Sequence, residues 1–309
     1  MTILKQLAYF AILLLLFGCD ATGADSNNPR SIDFDAFGNY WYQGKAELNA
    51  YALEQYRYGE KRDGEAVLVF VTEDFSEDKQ VKLDDPEANK DDAQKVLKLN
   101  LTKKFVTGIY PYSMMLSVFT PVYDGIPAVK VTASVQEWCG QTYTQLNRQN
   151  NGKYKARLFS YFEKESDQNL TIEAVPEDDL WTLLRLNPDQ VPTGEVRLIP
   201  SLLDQRLTHE QLEAEDASIS ISEAQDSMAG FSAADLRVLT VTYANYPRTL
   251  RIFYTTAFPY EVAGWEEIRE LQNGRQEVSR ATRKAKMVTD YWTKNKSEFE
   301  PLRQELKLQ

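Results

Sequence analysis

Lys45-Ala46-Glu47-Leu48-Asn49-Ala50-Tyr51-Ala52 alternates strictly, with Ala46, Leu48, Ala50 and Ala52 on one side and Lys45, Glu47, Asn49 and Tyr51 on the other. A period of two marks a half-buried strand, because successive side chains leave a pleated backbone on opposite faces. The alternation belongs to a strand over 44–58. Gly59-Glu60-Lys61-Arg62-Asp63-Gly64 reads as a turn, and Glu65-Ala66-Val67-Leu68-Val69-Phe70-Val71 as the return strand. That return is apolar on both faces, which places it centrally, and the pair forms a hairpin.

Outward from this hairpin the same signals recur. Strands are expected at 96–106, 109–120, 128–146, 153–163, 168–175, 194–200, 204–222, 235–243 and 248–257, with Tyr246-Pro247-Arg248 turning between the last two. In the longest, Val129, Val131, Ala133 and Val135 share a face, and Trp138-Cys139-Gly140 reads as a bulge that bends it. Residues 75–95 form an acidic loop interrupted by Pro86. It lacks the D-x-D-x-D-G spacing of a calcium loop and reads as solvated. One internal helix is expected at Glu177-Asp178-Asp179-Leu180-Trp181-Thr182-Leu183-Leu184-Arg185, with Pro176 ahead of it and acid in its first turn. Many strands on short connections, without βαβ alternation, predict a mainly β protein. It is a large antiparallel curved sheet or partly closed barrel with one short internal helix.

The N-terminus carries an address. Lys5 precedes an apolar run from Leu7 to Phe17, which is too short for a bilayer span of about 20 residues. It closes on Leu16-Phe17-Gly18-Cys19, which resembles the lipobox of bacterial lipoproteins. Residues 1–18 then form a signal peptide, Cys19 is the lipidated residue, and 19–34 are lipidated cysteine and flexible tether. Two acyl chains on Cys19 give stable anchoring, whereas one is marginal. The antiparallel β domain spans 35–263. From Gly264 the character changes: between Arg275 and Lys296 stand seven basic residues against Glu277 and Asp290. This 264–309 segment, helix or strand by neither period, is expected to pack on the β domain as an electrostatic clasp. The sharper alternative is contact with anionic lipid headgroups.

Composition narrows the function. The chain has 309 residues, 43% of them hydrophobic, and a net charge of −11, which repels nucleic-acid phosphates. Two cysteines and one histidine leave no disulfide scaffold and no Cys/His zinc cage, so no metal and no cofactor are expected. The most distinctive chemistry is Glu137-Trp138-Cys139-Gly140. Continued alternation puts Glu137 and Cys139 on the apolar face, where a carboxyl would have a raised pKa suited to acid–base work. The blander reading turns Glu137 to solvent and makes Cys139 core filler. Cys139 with His209 would make a thiol nucleophile and base. Glu54, Glu73, Asp74 and Glu137 would supply the paired carboxylates of a glycosidase. Tyr110, Tyr112, Met114, Met115, Phe119 and Trp138 suit either an apolar binding concavity or an ordinary core.

Several stretches together resemble one family. They are Tyr40-Trp41-Tyr42-Gln43-Gly44-Lys45-Ala46-Glu47, Gln55-Tyr56-Arg57-Tyr58-Gly59-Glu60, Val69-Phe70-Val71-Thr72-Glu73-Asp74-Phe75, Leu101-Thr102-Lys103-Lys104-Phe105, Thr107-Gly108-Ile109-Tyr110-Pro111-Tyr112-Ser113, Lys130-Val131-Thr132-Ala133-Ser134-Val135-Gln136-Glu137-Trp138-Cys139-Gly140 and Asp290-Tyr291-Trp292-Thr293-Lys294-Asn295. The set is similar to a family of bacterial lipoproteins whose members often carry the label septum formation inhibitor Maf. Nothing in the chain matches the Ser-x-Arg-Arg-type loop of the cytosolic Maf nucleotide pyrophosphatases. The resemblance implies a lipoprotein and transfers no residue roles.

These readings converge on a lipoprotein in the cell envelope of a Gram-negative-type bacterium, anchored in the inner or outer membrane. It is expected to be a non-enzymatic binding or assembly module for a lipid, a glycan or an envelope protein; the alternative is an envelope hydrolase using acidic residues. A Cys19→Ala form is expected to be stripped from the membrane fraction by alkaline carbonate, which leaves the parent in place. Its retention after that extraction would refute the anchor.

Overall fold

The structure, a computed structural model, describes residues 31–308, so the signal and Cys19 lie outside the described residues. In chain order the elements are α1 (Phe34–Trp41), β1 (Ala46–Arg57), β2 (Glu60–Ser76), β3 (Ala93–Thr107), β4 (Tyr110–Pro121), β5 (Lys130–Glu137), β6 (Gly140–Arg148), β7 (Tyr154–Ser160), β8 (Gln168–Ile172) and β9 (Val175–Pro176). Then come α2 (Leu180–Leu186), β10 (Gly194–Ile199), α3 (Leu202–Thr208), β11 (Glu215–Glu223), β12 (Leu236–Tyr243), β13 (Arg248–Thr255), β14 (Val262–Glu270), β15 (Gln276–Thr289) and α4 (Pro301–Glu305). The protein is mainly β, as its alternation implied.

All the strands join one sheet. From β1 they run consecutively out to β8, and β15 pairs with β1 and leads back through β14 to β9. Every pairing is antiparallel except the short parallel contact of β9 with β10. The edges β8 and β9 do not pair, so the sheet is not closed. It is nevertheless strongly rolled. Lys103 on β3 and Glu267 on β14 form a 2.6 Å ion pair across four strand steps, which in a flat sheet would separate them by about 19 Å. The rolled inner face encloses α2 and α3. One continuous core joins Phe70, Leu99 and Val131 of one half to Leu239, Ile252 and Trp265 of the other. Trp181 of α2 meets Trp265 edge-on at 5.2 Å.

The faces of β1 are the informative detail. Ala46, Leu48 and Ala50 point outward into a small cluster capped by Leu306, just beyond α4. Glu47, Asn49 and Tyr51 point inward and are fully buried. Burial alone pushes the Glu47 carboxyl up. The Arg185 charge, with hydrogen bonds from Arg185, Tyr40 and Asn49, outweighs it and holds the group down to about 2. Arg185, on α2, sends Nη1 to Glu47 Oε1 at 2.7 Å and Nη2 to Oε2 at 2.9 Å, and Nε to Pro259 O at 2.8 Å. Its guanidinium also lies 4.5 Å from the Phe70 ring and 5.0 Å from Trp41.

Four expectations need correction. The first hairpin turns at Tyr58-Gly59, both at positive φ, and Glu60–Gly64 already belong to the paired strand. This tight turn matches the strands' own twist. Residues 128–146 are two strands, because Glu137 pairs with Gly140 and Trp138-Cys139 is a hairpin turn rather than a bulge. The stretch 204–222 opens as α3, and the strand begins only at Glu215. There are four short helices among the described residues, not one.

Residues 264–309 contribute most of β14 and all of β15 to the sheet, so the basic segment that neither period could place is a central strand. Its cations meet acids around it: Arg280 with Glu266 of β14, Arg283 and Lys286 with Glu261 just ahead of β14, and Lys284 with Glu65 of β2, one strand beyond β1.

Breaking the Arg185–Glu47 pair leaves one charge buried alone, which costs about 3–5 kcal/mol. Glu47→Leu is therefore expected to lower the melting temperature steeply. Arg185→Met combined with Glu47→Leu should recover most of the loss, as read by thermal denaturation.

Candidate functional site

The antiparallel order gathers the tight turns at one end of the sheet. That end holds the β1–β2, β3–β4, β5–β6 and β14–β15 turns and the loop after β7. Helix α3 lies across it as a crossbeam. On one side Asp204 accepts from Tyr246 Oη at 2.5 Å and Arg269 Nη2 at 2.7 Å, and Arg248 Nε stands 3.5 Å away. On the other side Arg206 donates to Glu137 Oε1 at 3.2 Å and packs 4.1 Å over the Phe162 ring. Just past the helix, His209 Nδ1 sits 2.6 Å from Glu165 Oε1. The open sheet is thus bridged by charge pairs on both flanks of one seven-residue helix.

Residues singled out from the sequence come together here in an unforeseen way. Glu137 does continue the inward face, its side chain 2% exposed and paired with Arg206. Cys139 is exposed at the turn; its N–H donates to Glu137 Oε2 at 2.7 Å. Neither half of the bland reading describes them. The thiol's own hydrogen bond to Glu137 raises the Cys139 pKa, which keeps it a thiol rather than a nucleophilic thiolate. Arg206 stands between it and His209, with Nη1 3.3 Å from His209 Nε2. The tautomer with the proton on Nδ1 satisfies both His209 contacts, and its Nε2 lone pair then faces Arg206 rather than the thiol. Cys139 and His209 share a cluster without forming a nucleophile–base pair.

The four carboxylates are scattered. Glu54 pairs with Lys61 near the tips, whereas Glu73 pairs with Lys98 and Asp74 with Lys95 at the opposite end. In the acidic loop Asp92 accepts from Ser76 Oγ and Asp78 N, an internal turn lock. No three His, Cys, Asp or Glu side chains converge to hold a metal among the described residues.

The aromatic candidates divide. Met114 and Phe119 lie away from the tips: Met114 is buried in the core, and Phe119 stacks on Phe75 at 4.8 Å. Tyr112 is buried but reaches the tip end through its hydroxyl, 2.9 Å from Tyr58 Oη. Tyr110 Oη donates to Tyr58 Oη at 3.2 Å, and its ring centroid lies 6.3 Å from that of Trp138. Gly140 carries the row onward: a Cβ there would stand 2.6 Å from the Tyr161 ring. Tyr58, Ile109, Trp138 and Tyr161 are 59%, 83%, 69% and 69% exposed. Adjacent hairpin tips are two strand spacings apart along the sheet, about 9.5 Å, so these side chains follow one another along its rolled rim. Sequence reasoning picked out Tyr110 and Trp138 but passed over Tyr58, Ile109 and Tyr161. The common signal was a large apolar residue at a turn.

Beside the row a cleft of about 100 Å³ opens between Gln55–Tyr58, Leu207–Thr208 and Glu267–Arg269. Arg57 lines it. Its guanidinium donates to Leu207 O and, at 3.2 to 3.3 Å, to the hydroxyls of Tyr58 and Tyr112. It also lies 4.2 Å from the Tyr58 ring centroid. Among the described residues it has no carboxylate partner.

Behind α3 lies a buried acidic turn. Glu177 accepts from Tyr243 Oη at 2.7 Å and from Arg248. Asp178 Oδ2 accepts the Leu202 N–H at 3.0 Å, capping the start of α3. Burial, then the Glu177 charge, pushes the Asp178 carboxyl up to about 7. A carboxyl easier to protonate folded than unfolded contributes stability below its ordinary pKa of about 4, and that stability is lost as pH rises through about 7. Asp178→Asn, which mimics the protonated form, is therefore expected to melt above the parent at pH 8. The gap should narrow towards pH 5, as followed by circular dichroism. A gap independent of pH would refute the assignment.

No protein-family model and no curated protein matches the chain. Among solved structures it is similar to a crystal structure of a beta-barrel-like protein of the domain of unknown function DUF1849 from Brucella abortus. The identity is 9% and the TM-score 0.46, over 80% of this chain and 98% of that one.

Proposed function

We propose that this chain is a lipoprotein of the bacterial cell envelope, held to a membrane through Cys19, whose β domain is a non-enzymatic binding module. The lipobox and the resemblance to a lipoprotein family support the anchor. The observation that carries the binding role is the row Tyr58, Ile109, Trp138 and Tyr161, exposed side by side at the hairpin tips. Large aromatic side chains are costly to leave in water and are enriched at interaction surfaces. Isolated exposed residues need no explanation, but a contiguous row does.

The row sits at the opposite end of β1 from α1, where the described chain begins. The cluster around Glu137, Cys139, Arg206 and His209 lies behind the row and acts as its support, holding α3 against the β5–β6 hairpin.

Site-directed photocrosslinking in the native host tests this reading. With Trp138→benzoylphenylalanine, adducts to an envelope component are expected. With Trp292→benzoylphenylalanine, an exposed position at the far end, few are expected. Equal labelling from both positions, or labelling from Trp292 alone, would place the binding surface elsewhere.

A further inference from the structure

The geometry points to one occupant for this surface. We infer that the row of hairpin tips docks on the interface of a phospholipid bilayer, with the Arg57 guanidinium taking a headgroup phosphate. This rests on the binding reading above and names its ligand.

Three observations favour a bilayer over a sugar chain or a protein groove. First, the apex of the β3–β4 hairpin is aliphatic. Ile109 and Val106, 83% and 53% exposed, offer neither a flat ring for a sugar nor a hydrogen bond. They suit a hydrocarbon boundary flanked by amphipathic rings, and Trp138, Tyr58 and Tyr161 supply the rings. Second, the tips of successive hairpins in one sheet form an edge rather than a pocket, and an edge of that kind meets an extended surface. Third, one cation beside the row is free to meet a phosphodiester, although Glu267 and Glu277, paired with Lys103 and Arg275, line the same cleft. Arg57 has no carboxylate partner among the described residues and is held by neutral acceptors between the Tyr58 and Tyr112 rings. With Nε and Nη2 occupied by the tyrosine hydroxyls and Nη1 by Leu207 O, one Nη1 N–H and the guanidinium charge remain for a phosphate oxygen.

The net charge of −11 decides the lipid class. An anionic leaflet would repel the body of the protein, so the surface fits a zwitterionic bilayer, where the phosphate is present without net surface charge. Reach is sufficient. The twelve residues 19–30 extend to about 40 Å, close to the length of the twelve-residue β1. A domain tethered at its α1 end can therefore lie over and bring its tips to the same leaflet.

The test uses the chain from Asp20, which holds every described residue, with phosphatidylcholine vesicles. Cosedimentation is expected, together with quenching of Trp138 emission by brominated acyl chains that Trp138→Phe abolishes. Ile109→Ser and Trp138→Ser should each weaken partitioning at least tenfold without moving the melting temperature, since neither side chain packs in the core. Arg57→Gln should weaken it several-fold by removing the charge that meets the phosphate. Failure of the parent chain to partition, or partitioning unchanged by Ile109→Ser and Trp138→Ser, would overturn the proposal. If vesicle binding fails while crosslinking from position 138 persists, the lipid occupant falls and the binding surface stands. If both fail, both readings fall.

Discussion

Arg185 and Glu47 lie 138 residues apart in sequence, and each is almost completely sealed from water. Desolvating two charges is expensive, and only a two-pronged hydrogen-bonded contact with its remaining groups satisfied offsets the cost. Here those conditions are met: both guanidinium Nη atoms reach the carboxylate, Nε reaches Pro259 O, and Tyr40 and Asn49 serve the carboxylate oxygens. The pair ties α2 to the centre of the sheet. It also dictates that the polar face of β1 turns inward, which leaves the apolar residues Ala46, Leu48 and Ala50 outside, where Leu306 covers them. A strand central to the sheet is therefore covered on both faces, with its polar side in the interior.

The sheet's failure to close creates the second requirement. A rolled sheet with free edges has no hydrogen bonds to hold its two halves together at the far margin. Helix α3 supplies that link with side chains. Asp204 draws Arg269, Arg248 and Tyr246 from one half, and Arg206 draws Glu137 from the other. Burial pushes the Asp204 carboxyl up, but the Arg248 and Arg269 charges outweigh it and keep the group below its ordinary range. The helix thus remains a charged strut. With the interior occupied by α2 and α3, the prominent unpartnered feature is at the rim, where the turns carry Tyr58, Ile109, Trp138 and Tyr161 outward.

The misreadings have two physical causes. A two-residue hairpin and a single-residue bulge both shift inward positions from odd to even, as happens between Val135 and Leu146. Periodicity alone does not separate them. The α3 segment Leu202-Leu203-Asp204-Gln205-Arg206-Leu207 is buried along its length. Its charges are satisfied by partners from other strands, so polarity no longer marks a solvent face. The basic run in β15 failed to show a clean period for the same reason: Arg280, Arg283, Lys284 and Lys286 meet acids across the sheet. At the candidate surface, Trp138 was legible because it stands in a distinctive segment. Ile109 was not, since one apolar residue at a turn says nothing until its neighbours are known.

By itself the sequence determined the β class, the first strand, the short helix that carries Arg185 and the shared face of Val131, Ala133 and Val135. These follow from backbone geometry, which puts alternate side chains on opposite faces whatever lies beyond. Only the tertiary structure decided which face of β1 is the inside, that α3 bridges an open sheet, and that the turns at 58, 109, 138 and 161 stand in one row. Those outcomes depend on contacts between residues far apart in the chain. There the cost of burying a charge without its partner exceeds any local preference, and the partner is identified only once the fold has brought it near.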